Sequence, residues 1–228
     1  MRLVIGGQRL PAHRRWTPLG RALEAAGDHW TLAIITALAG GRLRLTHLKA
    51  ALPGVSAGLL DRYVRQMVAL DLISRKRIRE RPPRVEVELT EAGRELVPIA
   101  GELARWGMRR MWSAPQEGEH VDLDALLRLL PALIEDGAAL PDGVIETVIS
   151  EPDSTVRHVF LVKQGRLLLC DEGPAANRRA PAGPRARIAG STEAWTAALG
   201  PACERARLRI SGEAELARRV LAALTAPV

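Results

Sequence analysis

Cysteine is nearly absent from this chain. Its 228 residues hold two, Cys170 and Cys203, both in the second half. Two are too few for a disulfide scaffold, and reduced thiols are expected. Aromatic residues make up only 3%, so the second half has few large fillers, with Phe160 its sole Phe and Trp195 its sole Trp. Long apolar runs are missing too. The most apolar stretch, Trp30 to Ala39, is far shorter than the roughly twenty residues a membrane span needs. Arg2 is followed only by a short apolar run ending at Gly6-Gly7, which is no signal peptide. These absences point to a cytoplasmic chain with no membrane association.

The residue sets that carry chemistry are also lacking. His13, His29, His47, His120 and His158 are scattered, and none has ligand spacing to a Cys or a carboxylate, so no metal site is expected. No Gly-rich phosphate loop or nucleophile elbow occurs. Asp122 and Asp124 read as capping residues of the helix around Leu123, and Ser191 reads as a cap rather than a nucleophile. No catalytic residue and no cofactor is expected, and the chain reads as a non-enzyme.

What is present is positive charge, unevenly placed. The net charge is +7. Residues 1–112 hold 20 Lys+Arg against 10 Asp+Glu, and residues 113–228 hold 13 against 16. A first half at net +10 should seek a polyanion, and a second half at −3 should not.

The basic residues centre on the stretch from Arg42 to Leu89. Two short amphipathic helices are joined by Pro53-Gly54, a turn signal. Thr46 opens the first. Ser56 caps the second, its hydroxyl accepting from an orphan N–H of the first turn. Leu60, Val64 and Met67 fall at i, i+4 and i+7 and should face a core. That leaves Ala57, Gly58, Asp61, Arg62 and Arg65 on the open face. The period then changes. A basic strand from Leu72 to Arg79 meets the breakers Glu80-Arg81-Pro82-Pro83, and an alternating strand runs from Arg84 to Leu89. Arg75, Lys76, Arg77, Arg79, Arg81 and Arg84 crowd this hairpin. Helix, turn, helix and basic hairpin together are the sequence form of a winged helix-turn-helix, in which the second helix enters the DNA major groove. The expected DNA-binding residues are Thr46, Ser56, Ala57, Gly58, Asp61, Arg62, Arg65, Arg77, Arg79, Arg81 and Arg84.

The flanks complete an α+β chain in which a winged helix-turn-helix domain precedes a small α+β domain, its sheet covered by helices. Met1 to Arg15 reads as a basic arm, Trp16 to Ala26 as a helix and His29 to Leu38 as the central helix. Thr90 caps a long helix reaching about Trp112, with Leu96, Ile99, Leu103, Trp106 and Met111 as its apolar side. Trp106 and Trp112 suit either a dimer contact or packing on the second domain. Ser113 to His120 is polar, with Pro and Gly. Helices are expected over Leu123 to Ile134, from Ser191 to Leu199, and over Glu213 to Leu224. Strands are expected over Val144 to Ser150, Val156 to Lys163, Arg166 to Cys170, Ala186 to Ala189 and Ala206 to Ile210. Asp171 to Pro184 reads as a loop. The expected division is residues 1–112 for DNA binding and dimerisation, 113–121 as linker and 122–228 for ligand binding.

Several motifs of the first half resemble the HxlR-type family of bacterial winged-helix transcriptional regulators. They are Thr17-Pro18-Leu19, Gly27-Asp28-His29-Trp30-Thr31-Leu32, Leu52-Pro53-Gly54-Val55-Ser56, and the run from Pro82-Pro83-Arg84-Val85 to Leu89-Thr90-Glu91-Ala92-Gly93. The resemblance implies dimeric, cytoplasmic binding of double-stranded DNA. Two departures matter. Family members commonly carry Cys before the first Pro, where this chain has Thr17, and no Cys occurs in the first half to serve as a thiol switch. Large polar residues are common where Ala57 and Gly58 stand, which moves weight onto Arg62, Arg65 and the wing. The second half, through Ala186-Arg187-Ile188-Ala189-Gly190-Ser191 and Leu208-Arg209-Ile210-Ser211-Gly212-Glu213, each leading into a helix, is similar to sterol-carrier-protein-type lipid-binding domains. That likeness implies a pocket for a small hydrophobic effector. The residues expected to line it are Leu126, Leu130, Leu133, Val159, Leu161, Trp195 and Leu199, with Leu127 on the same helix.

The reading is a homodimeric, sequence-specific transcriptional regulator modulated by an apolar ligand. The alternative is a lipid or metabolite carrier with a basic anchoring domain. A carrier has no need of a Pro-Pro wing or of such a charge split.

Overall fold

The computed structural model describes residues 17–78, 84–119, 121–134, 138–151, 153–170 and 183–224. The arm expected over Met1 to Arg15 and the wing tip from Arg79 to Pro83 lie outside the described residues. So does the expected loop, apart from Gly183 and Pro184.

The first half opens with α1 (Pro18–Ala26), capped by the Thr17 hydroxyl, which accepts from Gly20 N at 2.8 Å. Asp28 caps α2 (His29–Leu38) through Trp30 N at 2.9 Å. A two-residue strand that the pattern does not announce, β1 (Leu43–Arg44), leads into α3 (Leu45–Ala50). Then come α4 (Ala57–Ala69), the strands β2 (Ile73–Ile78) and β3 (Arg84–Leu89), and α5 (Glu91–Arg110). The three strands pair antiparallel in the order β1-β3-β2. Ile34, Ile35, Leu38, Leu48, Val64, Met67, Ile73 and Val87 form the centre of the core beneath them.

In the second half, the helix expected over Leu123 to Ile134 is two pieces, α6 (Leu123–Arg128) and α7 (Leu130–Leu133). Pro131 explains the break. It has no N–H to bond back to Leu127, and its ring favours the first turn of a new helix. The remaining elements are β4 (Gly143–Ser150), β5 (Thr155–Lys163), β6 (Arg166–Leu169), β7 (Arg185–Gly190), α8 (Thr192–Leu199), β8 (Arg209–Gly212) and α9 (Ala214–Leu224). The strand expected at Ala206 to Ile210 starts later, because Arg205–Arg207 is a 3-10 turn. The sheet order is β6-β5-β4-β7-β8, antiparallel except between β4 and β7. Ile145, Ile149, Phe160, Val162, Ala186 and Ile188 point from one face into a core built with α6 to α9.

Both cores meet on α5. Val97 packs on each of them, and Ala100, Ala104 and Met108 pack on the second. The helices come close at Gly101, where a Cβ would lie 2.6 Å from the Ala132 carbonyl oxygen of α7. This corrects the expected apolar side of α5. Ile99, Leu103, Trp106 and Met111 are all at least half exposed, and the buried stripe is the small-residue one. Close helix packing favours small residues, so the large apolar ones are left facing outward.

Candidate nucleic-acid interface

The site is built on α4. The turn before it needs Gly54, whose φ of +86° suits glycine. Ser56 Oγ accepts from Leu59 N at 3.2 Å, starting the helix where an N-cap is expected. Leu60, Tyr63, Val64 and Met67 anchor the inner face. Ala57, Gly58, Arg62 and Arg65 are exposed, and Ser56 and Thr46 are exposed beside them. The Arg62 guanidinium carbon lies 5.6 Å from the Tyr63 ring centroid, a cation–π distance that restrains its stem. Burial pushes the Tyr63 phenol above its ordinary range, and the nearby Asp28 carboxylate adds to the rise. The phenol is therefore neutral at physiological pH.

Asp61 is half-buried, and its carboxylate is occupied. It pairs with Arg65 Nη1 at 3.1 Å along the helix and with Arg75 Nη2 at 3.0 Å on β2. The second pair ties the hairpin to α4. Arg75 and Arg77 alternate onto the same face of β2, so Arg77 continues the basic line past the tie, exposed. On the other face, Lys76 binds Glu88 at 2.6 Å and Arg42 approaches Glu86 at 3.6 Å. The hydrogen bond from Lys76 holds the Glu88 carboxyl below its usual range. The base of the wing is thus neutralised by its own carboxylates, and the cationic surface lies along α4 and outer β2. Arg84 opens β3 opposite Ile78. Arg79 and Arg81 lie outside the described residues.

The residues expected to line a ligand pocket fall in two groups. Leu130, Leu133, Trp195 and Leu199 are buried in the second core with Leu127, and Leu126 packs against them. Trp195 Nε1 donates to the Val148 carbonyl at 3.0 Å. Val159 and Leu161 are half-buried and alternate with Phe160 and Val162, so they lie on the opposite face of β5. One pocket cannot include both groups. The hairpin's strand alternation was readable, but which face turns inward was not. A feature missed altogether is a buried polar set. His158 Nε2 lies 3.0 Å from Asp124 Oδ1, and Arg128 Nε lies 3.0 Å from Asp124 Oδ2. Burial alone would raise the Asp124 pKa, but its hydrogen bond with His158 and the Arg128 charge bring it down to about 2.

Two helices joined by a tight turn, with arginines on the second and a basic hairpin tied to it, define a winged helix-turn-helix module. The chain belongs to the family described as HxlR-like helix-turn-helix, whose model matches residues 25–115. An uncharacterized HTH-type transcriptional regulator of Methanothermobacter thermautotrophicus is 33% identical over 96 residues, which is 42% of this chain and 72% of that protein. The HTH-type transcriptional regulator YkvN of Bacillus subtilis is 34% identical over 97 residues, covering 42% of this chain and 82% of YkvN. A crystal structure of a putative MarR-family regulator from Porphyromonas gingivalis W83 is similar at 31% identity and a TM-score of 0.40, over 45% of this chain and 99% of that one. Its relatives are thus transcriptional regulators, matched over the first half.

Proposed function

We propose that this protein is a sequence-specific, homodimeric DNA-binding transcriptional regulator, acting in the cytoplasm without catalysis. Residues 1–112 bind duplex DNA, 113–121 link, and 122–228 form a sterol-carrier-like unit that answers a small apolar effector. The Asp61–Arg75 tie carries the DNA reading, because it gives helix and wing a fixed angle while leaving Arg62 and Arg77 exposed. Arg62 and Arg65 are suited to base edges, and Arg77, Arg79, Arg81 and Arg84 to the backbone. The dimer reading rests on surface that nothing else in the described chain covers. Leu19 and Leu23 of α1 and Ile99, Leu103 and Trp106 of α5 are 50–68% exposed. A second copy of the chain would bury them and match a two-fold DNA site.

The test is a band-shift titration of the full chain on the duplex upstream of its own coding region, against a shuffled duplex of equal length. The expected result is a shift at lower concentration on the natural sequence. Equal shifts on both would remove the sequence-specific reading.

A further inference from the structure

A cleft of about 380 Å³ lies between the segment that follows α5 and α8 with the turn after it. Trp112, Val121, Ala197 and Pro201 supply apolar wall, and Glu193 and Glu204 supply the charge. Among the described residues lining it there is no Lys, Arg or His. We propose that this cleft is the effector site, and that it takes a small apolar cation, such as an amine or quaternary ammonium group on a hydrocarbon body. The proposal rests on the reading that the second half answers an effector, and supplies the place and the chemistry.

Four observations carry it. The volume falls in the range of small-molecule sites, roughly 300–1,000 Å³. The wall is mostly apolar, which suits a hydrocarbon body. Its charged groups are both carboxylates, so an anion is repelled and a cation is drawn in. Glu193 stands in the first turn of α8. Glu204 is already paired with Arg207 at 2.8 Å, which leaves Glu193, at the rim of the cleft, as the lining carboxylate with no such pair among the described residues. Finally, Trp112 offers an indole ring, the aromatic surface best suited to a cation. A Cβ on Gly200 would lie 2.8 Å from Trp112 Cζ2, so only glycine there lets the ring lie against α8.

The location also supplies a route to DNA. Trp112 follows the last residue of α5 by two positions. That helix begins beside the wing strand β3, packs on both cores and carries the exposed Ile99, Leu103 and Trp106. A ligand that displaces or pins Trp112 biases α5, and with it the spacing of the two DNA-binding halves of a dimer.

The experiment compares two isosteric probes on the full chain, phenyltrimethylammonium and neutral tert-butylbenzene, by calorimetric titration. The cation should bind more tightly. Glu193→Gln should weaken cation binding by roughly two- to fivefold, as for an exposed ion pair, and leave the neutral probe unchanged. Glu204→Gln should act in the same direction but less, and Trp112→Leu should weaken the cation more than the neutral probe. Band shifts with and without the cation should then differ for the wild type and not for Glu193→Gln. Equal binding of the two probes, or a Glu193→Gln variant that binds the cation like wild type, overturns the site even if DNA binding is intact. Carboxylate-dependent cation binding in a chain that does not shift DNA would keep the site and remove the regulator reading instead.

Discussion

Asp61 stands 3.1 Å from Arg65 and 3.0 Å from Arg75, with much of its side chain in water. Pairs so exposed contribute roughly 0–1 kcal/mol to stability, so the tie matters for geometry more than for folding. Asp61→Asn should therefore leave the melting temperature nearly unchanged. It should tighten binding to random DNA, by removing an acid from the DNA face, and reduce the preference for the natural site, by loosening the wing. Titration of both duplexes checks this, and a large drop in thermal stability would show that the pair has a different role. Arg62→Ala should cost about 1–3 kcal/mol at one base position and less on random sequence. Asp124 predicts a pH effect. Its folded pKa of about 2 lies below the ordinary 3.8, so its contribution is complete above pH ~4 and fades as pH falls toward 2, on the order of 2 kcal/mol. The stability gap between wild type and Asp124→Asn, measured by denaturant unfolding, should narrow as pH falls over that acid range. At this scale the sequence is a partial guide. Helical spacing puts Asp61 on the open face of α4, but its partner Arg75 lies fourteen residues on and only the folded hairpin brings it near. The Asp124–His158 contact likewise joins a helix to a strand that no local pattern connects.

Among elements, α5 is the one on which both halves depend. Gly101 has no room for a side chain against Ala132. Gly101→Val should cost about 1–3 kcal/mol through overpacking and loosen the second half from α5, seen as a lower, broader melting transition. Trp106→Glu should leave the fold intact and halve the mass in sedimentation, because it puts charge on the face assigned to the partner copy. A monomeric wild type would contradict that assignment. The caps Thr17, Asp28, Ser56, Thr90 and Ser191 all sit at helix starts, and such local signals are legible in sequence. Ser56 and the turn before it placed α4, and with it the exposed arginines of the candidate interface. Which stripe of α5 is buried was not legible, because size and hydrophobicity favour Leu103 and Trp106, whereas close approach selects Ala100, Gly101 and Ala104. The break at Pro131 was readable in principle, since the residue is a helix breaker in mid-run.

For the whole molecule, the charge division is the broadest feature. The basic half holds the helix, turn and wing, and the acidic half supplies Glu193, Glu204 and every other wall of the cleft but Trp112. The division was legible by counting. The cleft was not, since its walls come from the segment after α5, from α8 and from the turn that follows α8, which adjoin only in the fold. The central claim is that the first half binds DNA through its phosphates, and a salt series tests it most directly. Binding of the full chain to its upstream duplex, followed by fluorescence anisotropy between low and moderate salt, should weaken linearly on a log–log plot. The slope should be about −0.9 per phosphate neutralised, and Arg77→Ala should make it shallower by about one contact. An affinity that does not change with salt, or a slope unaffected by Arg77→Ala, would contradict the assignment of this surface.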